Sequence, residues 1–337
     1  MNYAPQLPIG VAILMALSAA FMWGSWSVSL KYLKDFPLDG FYIVQFITSI
    51  ILVWTVGFII DGRALIGNLE EVYNKDPSRI AVTLLCGILY VIGMRISLYT
   101  YKLIGLSLAQ PIQSSVNILL GTLISGLIGG VPPGMTLGQI LIASTLLVGA
   151  VIASLVAGYY RIQSQIAPGL QGSPRFSMKD MWKAVGLLVI SSLFIPAYTF
   201  ALAYGLRSIT QPQGMAVLPF MAILVTGAFV GVLLGSGTVL TINKEWSTVI
   251  YASLSIHKFS ILSGIFHYGG NIIHTFATTT LSAVISWPLG ITSGLWTQVW
   301  GLSYGEFKGT PKRAYLALFS GIGLYLVGAY MIANLAF

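Results

Sequence analysis

Apolar positions in this chain gather into ten long runs separated by mostly short polar connections. The first five run from Ile9 to Leu30, Phe41 to Ile60, Ile80 to Tyr101, Leu106 to Ile128 and Met135 to Tyr159. The second five run from Met181 to Tyr204, Gly214 to Leu234, Phe259 to Thr279, Ser282 to Leu302 and Ala314 to Ala336. Each holds about 20 residues, the length of helix that crosses roughly 30 Å of hydrocarbon. None alternates apolar and polar positions as a barrel strand does, and a span that is not part of a closed barrel has to be helical. The pattern predicts an all-α integral membrane protein with ten transmembrane helices. The first run is too long for a signal-peptide core and no Lys or Arg precedes it, so it reads as a retained helix.

The connections add organisation. Lys102 to Gly105 is short enough to make the third and fourth runs a helical hairpin, and the eighth and ninth are equally close. Arg161 to Lys179, with Pro168, Gly169, Gly172, Ser173 and Pro174, reads as a linker between two halves. The expected division is 1–160, the central loop 161–179, and 180–337. A second long connection, Gly235 to Lys258, contains Trp246 and Tyr251 and is expected to lie partly in the membrane interface. Sliding the chain by 177 positions lays Gly87 on Gly264, Gly93 on Gly270 and Pro111 on Pro288. Five spans precede the copy, and an odd number of crossings turns the second half over. Two inverted five-helix repeats follow, an architecture that puts substrate near the bilayer midplane.

Composition agrees. Hydrophobic residues make up 56% and charged residues 8%, with a mean hydropathy of +0.85. A soluble domain clothes itself with about a quarter charged residues. This chain lacks the charge for a hydrated surface, which excludes nucleic-acid binding and a secreted disulfide framework. Cys86, the single cysteine, allows no intrachain disulfide. No metal-ligand spacing, nucleophile elbow or paired intramembrane carboxylate is present, so neither an enzyme nor a cofactor is expected.

The candidate site comes from polar residues inside apolar runs. In the eighth run Ser263, His267, Asn271, His274 and Thr278 recur at spacings of 4, 4, 3 and 4, one stripe along a helix. In the fourth, Gln110, Gln113 and Asn117 do the same at 3 and 4. An unpaired amide or imidazole in hydrocarbon costs several kcal/mol, so both stripes must face other helices or a wet cavity. Helix–helix hydrogen bonding is the alternative to substrate contact. Trp23, Trp26 and Trp287 offer flat faces suited to a sugar's C–H face or a heterocycle, or else packing. Arg95 is the one charge deep within a run. It reads as a snorkelling or anchoring residue, or as a gate or anion contact, with no carboxylate partner inside any span. Pro111 and Pro288 are expected to break or kink their helices.

Several strings carry a family resemblance. They are Phe21-Met22-Trp23-Gly24-Ser25-Trp26, Gly105-Leu106-Ser107 through Ser114-Ser115 to Gly121-Thr122, His267-Tyr268-Gly269-Gly270-Asn271, and Gly305-Glu306-Phe307 with Lys312-Arg313. Together they resemble the ten-helix branch of the drug/metabolite transporter superfamily that holds rhamnose–proton symporters, bacterial glucose/ribose porters and ureide permeases. The resemblance implies a secondary transporter for a small neutral polar metabolite, a monosaccharide first and a nucleobase or ureide second. A non-transporting receptor or structural protein is the rival from another class, and it gives no reason for a polar midplane.

Charge sets the expected orientation. Of 17 basic residues against 9 acidic ones, connections on the N-terminal side hold four: Arg63, Lys75, Arg79 and Arg207. The opposite side holds twelve, which the positive-inside rule assigns to the cytoplasm, with both termini outside. A bacterial cell membrane is the default. All nine acidic residues fall in connections or at helix ends, so proton coupling would fall to His267 and His274. Sodium coupling and uniport are the alternatives.

Overall fold

The computed structural model describes residues 7–33, 35–104, 106–166, 178–305 and 307–335, without the side chains of 101–113, 115–116, 162, 165–166, 178–181 and 185. The described residues are mostly helical, with no strand among them. α1 (Ile9–Ser25) tightens into a 3₁₀ segment, Trp26–Tyr32. Ser25 marks the change: its hydroxyl donates back to the Phe21 carbonyl at 2.7 Å, a bond that tends to bend helices. α2 (Leu38–Ile60) is followed by α3 (Arg63–Lys75), α4 (Pro77–Ile104), α5 (Leu106–Gly129) and α6 (Leu137–Ile166). Next come α7 (Met178–Phe194), α8 (Ala197–Gly205), α9 (Val217–Val232), a π-helical turn at Leu233–Gly237, α10 (Thr238–Ile242) and α11 (Trp246–Ile250). α12 (Leu254–Leu281), α13 (Ala283–Ile291), α14 (Ser293–Ser303) and α15 (Lys312–Leu335) complete the chain.

Among the described residues, seven segments are long and apolar enough to cross a membrane: Ile9–Tyr32, Leu38–Ile60, Pro77–Thr100, Leu137–Arg161, Trp182–Gly205, Val217–Ile242 and Lys312–Leu335. The chain is a multi-pass integral membrane protein. Three expected spans fall outside that set for visible reasons. In α5 the described apolar stretch is Asn117–Gly129. α12 has 28 residues but is diluted by its polar stripe, and the ninth run is split at Thr292 into α13 and α14.

Other expectations need correction. Residues 63–75 form an amphipathic helix rather than a loop, burying Leu65 and Val72. α6 continues past Tyr159 to Ile166, and 167–177 lie outside the described residues. The Gly235–Lys258 connection is largely helical, and α10 extends the seventh span to Ile242. Pro288 does not end its helix, which continues to Ile291. The missing Pro288 N–H removes one bond, and packing on every side of α13 holds the rest: each of its residues is buried.

The helices meet through small residues. A Cβ on Gly87 of α4 would run into the α9 backbone at Leu224 and Ala228, and one on Gly264 of α12 into the α2 backbone at Gln45. Glycine permits these close crossings, in which dispersion replaces the hydrophobic drive that lipid does not supply. Large apolar side chains point outward, as lipid-facing surface requires: Leu193 is 73% and Ile59 77% exposed. Tyr42, Phe46, Tyr198, Tyr268 and Phe220 fill the interior.

Candidate functional site

A cavity sits where the helix interruptions converge. Trp23 lies in the last turn of α1 and Trp26 opens the 3₁₀ segment; Tyr198 follows the α7–α8 break at Pro196. Ile291 and Ser293 flank the α13–α14 break. Tyr90, Met94, Ser97 and Leu98 of α4, Ser114 and Asn117 of α5, His267 of α12, Trp287 of α13 and Ile195 complete the wall. The cavity has a volume of about 110 Å³. A single water needs about 10–15 Å³, so there is room for a small polar molecule.

Aromatic rings form the frame. Trp26 stacks on His267 at 5.4 Å and 21°, and Trp23 lies 6.2 Å from Trp287 and 6.0 Å from Tyr198. Hydrogen bonds fix these rings. Trp23 Nε1 donates to Asn271 Oδ1 at 2.8 Å, and Trp287 Nε1 donates to the Asn117 carbonyl at 2.9 Å. Gln45 Nε2 donates to His267 Nδ1 at 3.1 Å, which leaves Nε2–H to donate to Tyr90 Oη at 2.7 Å. His274 Nε2–H donates to the Ser286 carbonyl at 3.0 Å.

The fourteen lining residues include no carboxylate, ammonium or guanidinium. They do include unspent hydrogen-bonding capacity: Asn117 Oδ1 is buried without a partner among the described residues. Such a surface suits a neutral ligand, because an ion would lose its hydration with no opposite charge to meet it.

Of the candidates from sequence, Trp23, Trp26, Asn117, His267 and Trp287 share this wall. Asn271 and His274 stand behind it, Asn271 gripping the Trp23 indole and His274 packed on the same ring at 4.8 Å. Gln110 and Gln113 belong to α5, and their side chains lie outside those described. Arg95 is not among the lining residues. It has a carboxylate partner after all: its Nε is 2.7 Å from Oδ1 of Asp39, in the first turn of α2. Asp39 stood at a helix end 56 positions away, so no spacing on one helix announced the pair. Tyr90, Tyr198, Ser97 and Ser114 also line the wall and were not among the site candidates the sequence singled out. Tyr90 carried a usable signal, since it stands 177 positions from His267, the offset that lays Gly87 on Gly264.

No family model matches the chain. Over 327 residues it is 26% identical to "Probable glucose uptake protein GlcU" of Staphylococcus aureus, the same figure in strains N315 and MRSA252. The alignment covers 96% of this chain and 98% of the relative. A solved crystal structure superposes with a TM-score of 0.60 at 13% identity, covering 97% of this chain and 98% of that one. That likeness is one of fold.

Proposed function

We propose that the chain is a ten-span secondary transporter of two inverted five-helix repeats, residues 1–160 and 180–337 joined by 161–179. It carries a small neutral polar metabolite, a monosaccharide first, across the bacterial cell membrane. Packing partners support the architecture. α1 packs on α12 as α4 packs on α7 and α8; α4 packs on α9 as α12 packs on α2; α5 packs on α8 as α13 and α14 pack on α1. Each pair turns into the other when the first five spans exchange with the second five. Membership of the drug/metabolite superfamily rests on the motif resemblance.

The observation that carries the substrate class is the wall itself, with flat aromatic faces, neutral hydrogen-bonding groups and no formal charge. Aromatic faces take the apolar C–H side of a sugar, and amides and hydroxyls take its OH groups. Similarity to the glucose uptake relative over nearly its full length agrees, and makes the chain a transporter rather than an enzyme. A planar heterocycle is the second reading, favoured by the near-parallel Trp26–His267 stack. Substrate contacts are assigned to Trp26, Asn117, His267 and Trp287, with Trp23 positioned by Asn271. Gln110 and Gln113 stay in the proposal from sequence alone. Proton coupling through His267 and His274 rests on the family resemblance; sodium coupling and uniport are its alternatives. Thermal shift of the purified protein against sugars, nucleobases and ureides tests the class. A neutral monosaccharide raises the melting temperature if the first reading holds, and stabilisation by a nucleobase or ureide alone replaces it with the second.

A further inference from the structure

Four hydrogen bonds converge on the Asp39 carboxylate. Arg95 Nε at 2.7 Å and Ser236 Oγ at 2.6 Å donate to Oδ1; Arg95 Nη2 at 3.3 Å and Tyr99 Oη at 3.1 Å donate to Oδ2. The Asp39 side chain is 8% exposed and Ser236 is fully buried. A buried ion pair is a poor source of stability, because desolvation cancels most of the attraction and an apolar replacement of like shape is often as stable. Three features point to another use. Asp39 and Arg95 belong to the first half of the chain and Ser236 to the second, so the network ties the halves together. Ser236 sits on the π-helical turn Leu233–Gly237, and π-turns inside helices recur at functional sites. At the 177-residue offset Arg95 falls on Ile272 and Asp39 on Ala216, so the network has no counterpart in the other repeat. Whatever it does, it does at one end of the bundle. Arg95 is also flanked on α4 by Met94 and Leu98, both in the cavity wall.

We propose that Asp39, Arg95 and Ser236 form a one-sided latch of the transport cycle. It holds the end of the bundle where α2 begins in the arrangement seen here and opens when the halves exchange conformations. The inference rests on the transporter reading, and the test separates the two. In a Cys86→Ser background, a single cysteine at Ser293 is labelled with a membrane-impermeant thiol reagent from each face of oriented vesicles. Asp39→Asn and Ser236→Ala are each expected to shift the ratio of the two rates by about tenfold, in the same direction. Ser236→Ala keeps the ion pair, so it serves even if Asp39→Asn fails to fold. Folded variants whose ratio stays at the wild-type value would overturn the latch and leave a structural ion pair. A panel of neutral sugars that leaves the wild-type ratio unmoved, while the variants shift it, would sink the substrate reading and spare the latch.

Discussion

Tyr90 and His267 hydrogen-bond each other at 2.7 Å, and they stand 177 positions apart in the chain. The same offset lays Gly87 on Gly264, and each of these glycines admits the backbone of a neighbouring helix. It also lays Gly93, which meets the α7–α8 junction at Ile195, on Gly270, which meets Trp23 of α1. Equivalent residues of a two-fold arrangement touch only on its axis. In the proposed architecture the Tyr90–His267 bond therefore marks the axis, and it lies in the cavity wall.

A double-mutant cycle with Tyr90→Phe and His267→Leu tests that bond. The two changes are expected to be non-additive in unfolding free energy by about 0.5–3 kcal/mol, the range for residues in contact. Additive effects would show that the hydroxyl and the imidazole are not coupled.

Asn271→Ala removes the acceptor of the Trp23 indole N–H. The stranded donor is expected to lower stability by about 1–3 kcal/mol. Substrate affinity falls with it, because Trp23 loses its fixed orientation. The check pairs thermal melting with tryptophan emission on ligand addition. A variant with wild-type melting and wild-type affinity would remove Asn271 from the site's support.

Glycine substitutions separate packing from local propensity. At Gly227 a Cβ would collide with the Leu84 backbone on α4, so Gly227→Ala is expected to destabilise by about 1–3 kcal/mol, the usual overpacking penalty. At Gly67 on α3 nothing lies within 4 Å, and Gly67→Ala is expected to stabilise by up to about 1 kcal/mol through helix propensity. Melting curves of the two variants that move together would contradict the helix contacts described.

Uptake into proteoliposomes under an imposed pH gradient tests coupling through His267 and His274. The histidine assignment expects gradient-driven accumulation in wild type that is lost in His267→Gln or His274→Gln. Accumulation that survives in both variants removes the histidines from coupling, and no accumulation in wild type points to uniport or sodium.

Long-range structure was legible where its signal was local and periodic. The α12 stripe could be read because every fourth or third residue is polar in an apolar helix, and Ser263, His267, Asn271, His274 and Thr278 are all buried. The apolar runs were legible for the same reason. Asp39 and Arg95 were not, because their pairing joins side chains of two separate helices, α2 and α4, and no sequence period encodes such a meeting. Tyr198 looked like any of 17 tyrosines, and its place in the wall follows from the break at Pro196, one residue before α8. Pro288 was expected to break or kink its helix, and the interruption between α13 and α14 falls instead at Thr292.

The most direct measurement is uptake of labelled glucose into liposomes that contain the purified chain and no other protein, for wild type and for Trp287→Leu. Trp287 lies in the wall and ties α13 to the Asn117 carbonyl of α5, so its loss opens the cavity's frame without changing any charge. Wild type is expected to show saturable uptake inhibited by unlabelled monosaccharide, reduced about tenfold or more in folded Trp287→Leu. Wild-type uptake no greater than that of empty liposomes, or uptake untouched by Trp287→Leu, would contradict that expectation.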